Sequence, residues 1–310
     1  MTGRAIPHRA GFACLVGRPN TGKSTLTNVL AGGKVAITSS RPQTTRHAIR
    51  GILTRPDAQL VLVDTPGFHR PRTLLGQRLN DLVRTTIAEV DVLGLCVPAT
   101  DRVGPGDRFI TGELATVTRR APVIAIVTKT DLVSREQVAE QLLAVSRLGE
   151  RLGVQFAEIV PVSAVRGDRI EALAQVLIAR LPEGPPLYPD GELTDSPEAV
   201  LVAELVREAA LEGVRDELPH SLAVVVEEMT LRAGRPADSP MLDIRAEVYV
   251  ERDSQKGIVI GVGGARLREI GTAARRGIEA LLGTPVFLDL HVRVAKNWQR
   301  DPKQLRRLGF

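Results

Sequence analysis

The sequence predicts two domains: a mostly parallel α/β sheet with helices on both faces, followed by a smaller α+β domain. Three observations predict this. Short apolar runs alternate with amphipathic stretches through the first 180 or so residues, a tract rich in Pro, Gly and Asp interrupts the pattern (LPEGPPLYPDGELTDSP), and the rhythm beyond it changes. A chain of 310 residues is long enough for two ordinary cores.

The run 12–16 reads as the first strand, and 24–30 continues with helical spacing. Runs at 60–63, 92–97, 123–127 and 159–162 read as further strands, with amphipathic segments such as 74–90 and 135–152 between them. Strands joined through helices require crossovers, which is why the sheet is read as mostly parallel. The interruption sets the domains at 8–181 and 198–310, with a linker at 182–197. Beyond it, 199–211 is helix-like, 222–229 and 244–251 are strand-like, 265–282 is helical and 286–294 is a last strand, followed by a basic tail. No repeat at a solenoid period appears.

Composition narrows the class. Apolar residues make up 43% and charged residues 25%, normal for a globular chain, so disorder and fibre are excluded. Cys14 and Cys96 lie inside apolar runs and read as buried small hydrophobes in a reducing compartment, not as a disulfide or metal pair. No stretch approaches the roughly 18 apolar residues of a membrane span, and the N-terminus lacks a secretion signal, so a cytoplasmic location is expected. Net charge is +5, and residues 251–310 hold 12 Lys/Arg against 6 Asp/Glu, leaving 29 against 30 for the rest. The excess positive charge therefore sits in the second domain, where it points to a phosphate-bearing partner.

The first strand leads into Gly17-Arg18-Pro19-Asn20-Thr21-Gly22-Lys23-Ser24, a full match to GxxxxGK[ST], with Thr25 following in the helix. Such a loop turns backbone N–H groups toward phosphate oxygens, and glycines stand where side chains would obstruct. Lys23 is placed to neutralise β- and γ-phosphate, a catalytic role, and Ser24 offers a hydroxyl to Mg²⁺. Asp64-Thr65-Pro66-Gly67 follows the 60–63 strand: Asp64 can hold Mg²⁺ through water, and the Gly67 N–H faces the γ-phosphate. Between them, Pro42-Gln43-Thr44-Thr45-Arg46 supplies a threonine that completes the Mg²⁺ shell when nucleoside triphosphate orders the segment; Thr45 is chosen over Thr44.

Thr128-Lys129-Thr130-Asp131 follows the 123–127 strand. Guanine presents N1–H and an N2 amino group as adjacent donors, and the single carboxylate of Asp131 can accept both. Leaving them unpaired would cost about 1–3 kcal/mol, enough to select the base. Lys129 can lay its stem on the purine face, and Ser163-Ala164 can close the pocket. The motifs resemble those of translation-factor-class GTPases, in order, with Thr128 where that class usually has Asn. Ras-like proteins place a water-orienting glutamine just after DxxG; here that position is Phe68, so intrinsic turnover should be slow.

In the second domain, Lys256-Gly257-Ile258-Val259-Ile260-Gly261-Val262-Gly263-Gly264 precedes an amphipathic helix. A GxxG turn at Gly261–Gly264 between two helices marks a KH domain, whose glycines let backbone approach RNA phosphates beside an apolar groove. The turn itself carries no cation, so Arg266, Arg268, Arg275 and Arg276 would supply the attraction. Trp298, the sole tryptophan, either stacks a base or plugs the edge of the small domain.

Taken together, GRPNTGKST, RPQTTRH, DTPGF, TKTD and SA, then ELPHSLAV, QKGIVIG and the closing VAKNW…LRRLGF, resemble the bacterial Era GTPases over residues 8–310. The resemblance implies a P-loop GTPase domain joined to a type II KH domain. It also implies GTP and GDP as ligands, Mg²⁺ as cofactor, and K⁺ at Asn20, a residue that otherwise simply shapes the loop. As partners it implies small-subunit (16S) ribosomal RNA near its 3′ end and the assembling 30S subunit. A monomer with peripheral membrane contact is implied too. The other readings left open are a GTPase acting on a different RNA, and a GTP-dependent scaffold with negligible turnover.

Overall fold

A computed structural model describes residues 7–38, 45–68, 71, 73–117, 121–212, 221–236 and 238–310. Residues 41–44 and 217–220, parts of two motifs named above, lie outside the described residues. The chain divides into two compact units, with the last boundary along the sequence between Asp195 and Ser196.

The first unit runs β1 (Arg9–Val16), α1 (Lys23–Ala31), β2 (Ile49–Arg55), β3 (Ala58–Asp64), α2 (Leu74–Glu89), β4 (Val92–Pro98), α3 (Pro105–Val117), β5 (Val123–Thr128), α4 (Arg135–Leu152), β6 (Phe156–Pro161) and α5 (Ile170–Ile178). Its sheet has the order β2-β3-β1-β4-β5-β6, parallel except for the β2–β3 hairpin. Along β1, Cys14 and Val16 join a core layer with Val83, Ile87, Ile110, Leu114 and Val145 from α2, α3 and α4. Ala13 and Leu15 join the opposite layer with Leu26, Leu30, Leu173 and Leu177 from α1 and α5. Both faces of the strand are buried, which is why it reads as an unbroken apolar run and not as an alternation. Each buried Leu or Val contributes roughly 1.5–3 kcal/mol. Both cysteines are buried free thiols, as anticipated, and burial pushes each up to about 12.

Helix α4 has its predicted bounds, because its ends are chemically marked. Ser134 and Gln137 form a reciprocal capping box, and Gly153 closes the helix in the left-handed region (φ 70°). Strand β2 escaped the sequence reading: IRGILTR is short, charged and interrupted by glycine, and becomes a strand only by pairing with β3. The tract read as a linker is largely built into the first unit, through side-chain anchors from Gln59 and Arg50 to Leu187, Tyr188 and Asp195.

The second unit runs α6 (Glu198–Leu211), β7 (Ala223–Leu231), β8 (Leu242–Val250), α7 (Asp253–Ile260), α8 (Ala265–Leu282), β9 (Val286–Val294) and α9 (Pro302–Arg307). β8 is central, antiparallel to β7 and parallel to β9. Val202, Leu205 and Val206 of α6, with Ile270, Ala274 and Ile278 of α8, pack on Ile244, Val248 and Val292 of the sheet. The i, i+4, i+8 spacing in α8 produces that apolar stripe. The C-terminal residues are not a solvated tail. Asp301 caps α9 by accepting from the Lys303 and Gln304 N–H groups, Pro302 opens it, and Leu305 and Leu308 are buried. Among the described residues, no helix is long and apolar enough to cross a membrane.

Candidate functional site

The strand-to-loop junction after β1 explains its own glycines. A Cβ on Gly17 would lie 2.7 Å from the Cys96 carbonyl oxygen, and Gly22 sits at φ 91°. Asn20 adopts the left-handed region too (φ 63°), which Asn tolerates better than most residues. The Arg18 carbonyl accepts from Lys23 Nζ (3.0 Å) and Thr21 Oγ1 (3.0 Å), so the loop folds around its own lysine. Lys23 is 6% exposed. Burial pushes its pKa down, against the pull of Asp64. Thr25 follows in the first turn of α1, half-buried.

The Arg18 guanidinium is held by Asp107 (2.7 Å) at the first turn of α3 and by Asp101 (3.2 Å), which fixes the side chain beside the phosphate loop. Asp107 is 1% exposed and also accepts the Gly104 N–H. The sequence reading missed this clamp. Its signal was a lone acid after Gly-Pro-Gly at a helix start.

Three oxygens meet beside Lys23. Ser24 Oγ lies 3.0 Å from Thr45 Oγ1 and donates to Asp64 Oδ2 at 2.6 Å, and Thr45 Oγ1 donates to the same oxygen at 3.2 Å. Two hydroxyls and a carboxylate are the hard-oxygen donors that suit Mg²⁺. They come from α1, the segment before β2, and the end of β3. Among the described residues there is no cluster of three or more His, Cys, Asp or Glu that would indicate a different metal.

The DTPG turn presses on the phosphate loop. A Cβ on Gly67 would meet the Pro19 backbone nitrogen at 2.8 Å, so the glycine is required by close approach. Thr65 is fully buried and donates to the Leu15 carbonyl at 3.0 Å, which makes it a brace between β3 and β1. Pro66 is buried beside it. Phe68, expected among the nucleotide-binding residues, contributes neither ring nor N–H. Its N–H donates to Gly17 O (3.2 Å), and its ring stacks on Phe109 (centroids 5.5 Å apart) beneath the Arg84 guanidinium. An aromatic side chain gains more in that apolar layer than at a charged pocket.

The base-reading residues assemble from the ends of β5 and β6. Ser163 Oγ donates to Asp131 Oδ1 at 2.7 Å and itself accepts the Arg166 N–H at 3.1 Å, which orients the carboxylate. Lys129 is left-handed (φ 58°) and half-buried, and Ala164 follows Ser163 at the rim. Thr128 is buried, and its hydroxyl donates to the Thr21 carbonyl at 2.6 Å. The threonine thus ties the base loop to the phosphate loop, and its one hydroxyl proton is engaged there.

In the second unit, Gly261, Gly263 and Gly264 all have positive φ (72°, 57° and 77°), and a Cβ on Gly261 would strike Arg266 Cβ at 2.8 Å. The turn lies between α7 and α8, as expected, with Val262 95% exposed at its tip and Ile258 exposed one turn earlier. Lys256 and Ile260 are half-buried, Gly257 and Gly263 exposed, and Arg268, Arg275 and Arg276 exposed along α8. Two expectations need correction. Arg266 is not a free surface cation, because its Nη2 donates to the carbonyls of Glu212 and Ala210 at the end of α6. Trp298 does not stack a base: it is fully buried, its Nε1–H donates to Ser221 O (2.9 Å), and its ring stacks on Phe310.

Comparison with known proteins agrees with both halves. Residues 12–129 match the family described as "50S ribosome-binding GTPase", and residues 217–299 match the KH domain. GTPase Era of Streptomyces coelicolor is 70% identical over 303 residues, 98% of this chain and 95% of that protein. GTPase Era of Mycolicibacterium smegmatis is 66% identical over 302 residues, 97% and 99% respectively. Two solved structures superpose on 97% of this chain and 99% of theirs at 36% identity. One is Era with MgGDPNP and nucleotides 1506–1542 of 16S ribosomal RNA (TM-score 0.90), and the other is a point variant of Aquifex aeolicus Era bound to GDP·AlF4⁻ (TM-score 0.89).

Proposed function

The chain belongs to the GTPase Era family, and from that premise we propose how its residues bind and hydrolyse GTP and what the nucleotide controls. Hydrolysis yields GDP and phosphate. Lys23 lies within reach of the β- and γ-phosphates, and the loop glycines turn N–H groups onto the same oxygens. Ser24, Thr45 and Asp64 would hold Mg²⁺, which when bound neutralises charge on the β- and γ-phosphoryl oxygens; the solved relative with MgGDPNP supports that assignment. Gly67 carries the γ-phosphate contact, and Asp131, braced by Ser163, reads guanine.

Phe68, at the position of a water-orienting glutamine, offers no such group, because its ring is apolar and packed in the core. Turnover is therefore slow until RNA, a partner or a cation assists. Asn20 is the candidate ligand for K⁺, and single-turnover hydrolysis in K⁺ against Na⁺ tests it: equal rates would remove the potassium role.

The GxxG backbone, with Lys256, Arg268 and Arg275 around it, binds small-subunit ribosomal RNA near its 3′ end in the assembling 30S subunit, firmly with GTP and weakly with GDP. The protein acts as a monomer in the cytoplasm, with peripheral contact at the membrane. The observation that carries this reading is the meeting of Ser24, Thr45 and Asp64 beside Lys23 on a chain that also holds an exposed GxxG backbone. Crosslinking to RNA in cell extract, with a non-hydrolysable GTP analogue against GDP, tests it. Protection of the small-subunit 3′ end only with the analogue is the expected result; the same RNA in both states, or none, refutes it. The description of the matched GTPase family favours a second reading, large-subunit RNA, which the same crosslinking would reveal.

A further inference from the structure

Gln59 is the anomaly of the β3 strand. Its neighbours are apolar as far as Asp64 (AQLVLVD), yet this amide is fully buried among them. A buried amide needs partners for both its ends. Gln59 finds most of them in the tract read as a linker: Oε1 accepts the N–H groups of Leu187 (2.6 Å) and Tyr188 (2.8 Å), and Nε2 donates to the Tyr188 carbonyl (2.9 Å). Nε2 also donates to Thr54 Oγ1 (3.0 Å), across the hairpin in β2.

The tract then runs along the outer edge of β2. The Ile52 N–H donates to Leu193 O (2.9 Å), and Asp195 accepts from Arg50 Nη1 (2.7 Å) and Tyr188 Oη (2.8 Å). Leu193 sits so close that a Cβ on Gly33 would lie 2.8 Å from its Cδ1. A free tether of Pro, Gly and Asp would make no such set of bonds. Residues 187–195 form a strap on the β2–β3 hairpin.

The other end of this hairpin senses nucleotide. Ile49 pairs with Asp64, and Thr45 lies four residues before Ile49. One two-stranded element thus holds the Mg²⁺-directed oxygens of Thr45 and Asp64 at one end and, along its length, a strap whose last anchor, Asp195, directly precedes the first residue of the second unit's main segment, Ser196.

We propose that Gln59 is a positioning residue that makes the strap move with the hairpin, so that gain or loss of the terminal phosphate is passed to the chain entering the RNA-binding unit. This rests on the nucleotide-dependent RNA binding proposed above. The amide acts through the strap and touches neither nucleotide nor RNA.

The test uses the full chain as wild type, Gln59→Leu, and the double variant Arg50→Ala with Tyr188→Phe. Three quantities are measured: affinity for a small-subunit 3′-end RNA oligonucleotide with GDP and with a non-hydrolysable GTP analogue, GTP turnover, and amide exchange at Leu187 and Tyr188. In Gln59→Leu the two amides should exchange about tenfold faster or more. The ratio of RNA affinities between nucleotide states should fall toward one, with turnover and GDP affinity within about twofold of wild type, since no nucleotide contact is removed. A released strap with the wild-type ratio intact overturns the proposal. The double variant leaves Gln59 in place and removes only the solvent-exposed bonds that anchor Asp195. If Gln59→Leu does not fold, a wild-type affinity ratio in the double variant overturns the path through the strap, and a ratio that falls toward one supports it. A wild type that binds RNA equally in both states refutes the underlying nucleotide-dependent reading, and the strap's role falls with it.

Discussion

The phosphate loop and the GxxG turn both offer backbone to phosphate, but they are built in opposite ways. Around the phosphate loop every key polar group is already held: Lys23 by the Arg18 carbonyl, Arg18 by Asp107, Thr21 by Thr128, Asp131 by Ser163. Among the described residues the GxxG turn has no comparable side-chain bracing. Gly261, Gly263 and Gly264 have positive φ, Val262 is almost wholly exposed, and the nearest arginine, Arg266, donates to the end of α6. A small ligand with concentrated charge favours oriented groups that do not reorganise on binding. A nucleic-acid strand favours access, with charge supplied diffusely from Arg268, Arg275 and Arg276.

The largest effect should come from outside both sites. Trp298→Ala should lower stability by about 3–5 kcal/mol in urea unfolding, as for other buried Trp truncations. Affinity per folded molecule for RNA should be unchanged, and a loss of affinity with normal stability would return the indole to the RNA site. Lys23→Ala comes next. Removing a charge-assisted contact costs about 1.5–3 kcal/mol, so calorimetry should show GTP binding weakened about 10- to 100-fold, while nucleotide-free RNA binding persists.

Gly261→Asp with Gly264→Asp is the mirror experiment. Gly264 is left-handed (φ 77°, ψ 11°) and Gly261 (φ 72°, ψ 175°) has a conformation essentially restricted to glycine, so each substitution strains the backbone by about 1–3 kcal/mol and adds negative charge where RNA approaches. Filter binding should show RNA affinity down by about tenfold or more, with GTP turnover intact. Parallel loss of turnover would mean the two sites are less independent than their construction implies. Asp131→Asn sharpens the nucleotide side alone: selectivity should move from guanine toward xanthine, whose C2 oxygen calls for a donor, by about 1–3 kcal/mol. Unchanged selectivity in competition binding would remove Asp131 from base reading. Thr128→Val should be smallest. It leaves the Thr21 carbonyl without its strut and should cost about 1 kcal/mol of GDP affinity, whereas Thr128→Ser should retain it.

Much of this was legible in the chain itself, for physical reasons. Strands β1, β4 and β5 are buried on both faces, so they appear as apolar runs that cannot be mistaken for surface. The phosphate loop, the base loop and the GxxG turn are local. In the phosphate loop and the GxxG turn, backbone conformations demand glycine or asparagine at set positions, and that demand is visible in sequence. Helix α4 was legible to the residue because its cap and its terminating glycine are written beside it.

What the sequence could not decide was the direction of individual side chains whose partners lie far along the chain. Phe68 could face the nucleotide or the core, and only the positions of Phe109 and Arg84 settle it. Trp298 could face RNA or Ser221, 77 residues away. Arg18 stands in a phosphate motif, yet its charge is taken up by Asp107. A tract of Pro, Gly and Asp has the composition of a loose linker, and it becomes a strap because one buried glutamine 128 residues earlier has polar atoms to satisfy. Sequence alone determined the chemistry this protein can perform, since that chemistry is set by short contiguous motifs. Tertiary structure decided which of those residues are free to perform it, because burial and long-range pairing allot each polar group its partner.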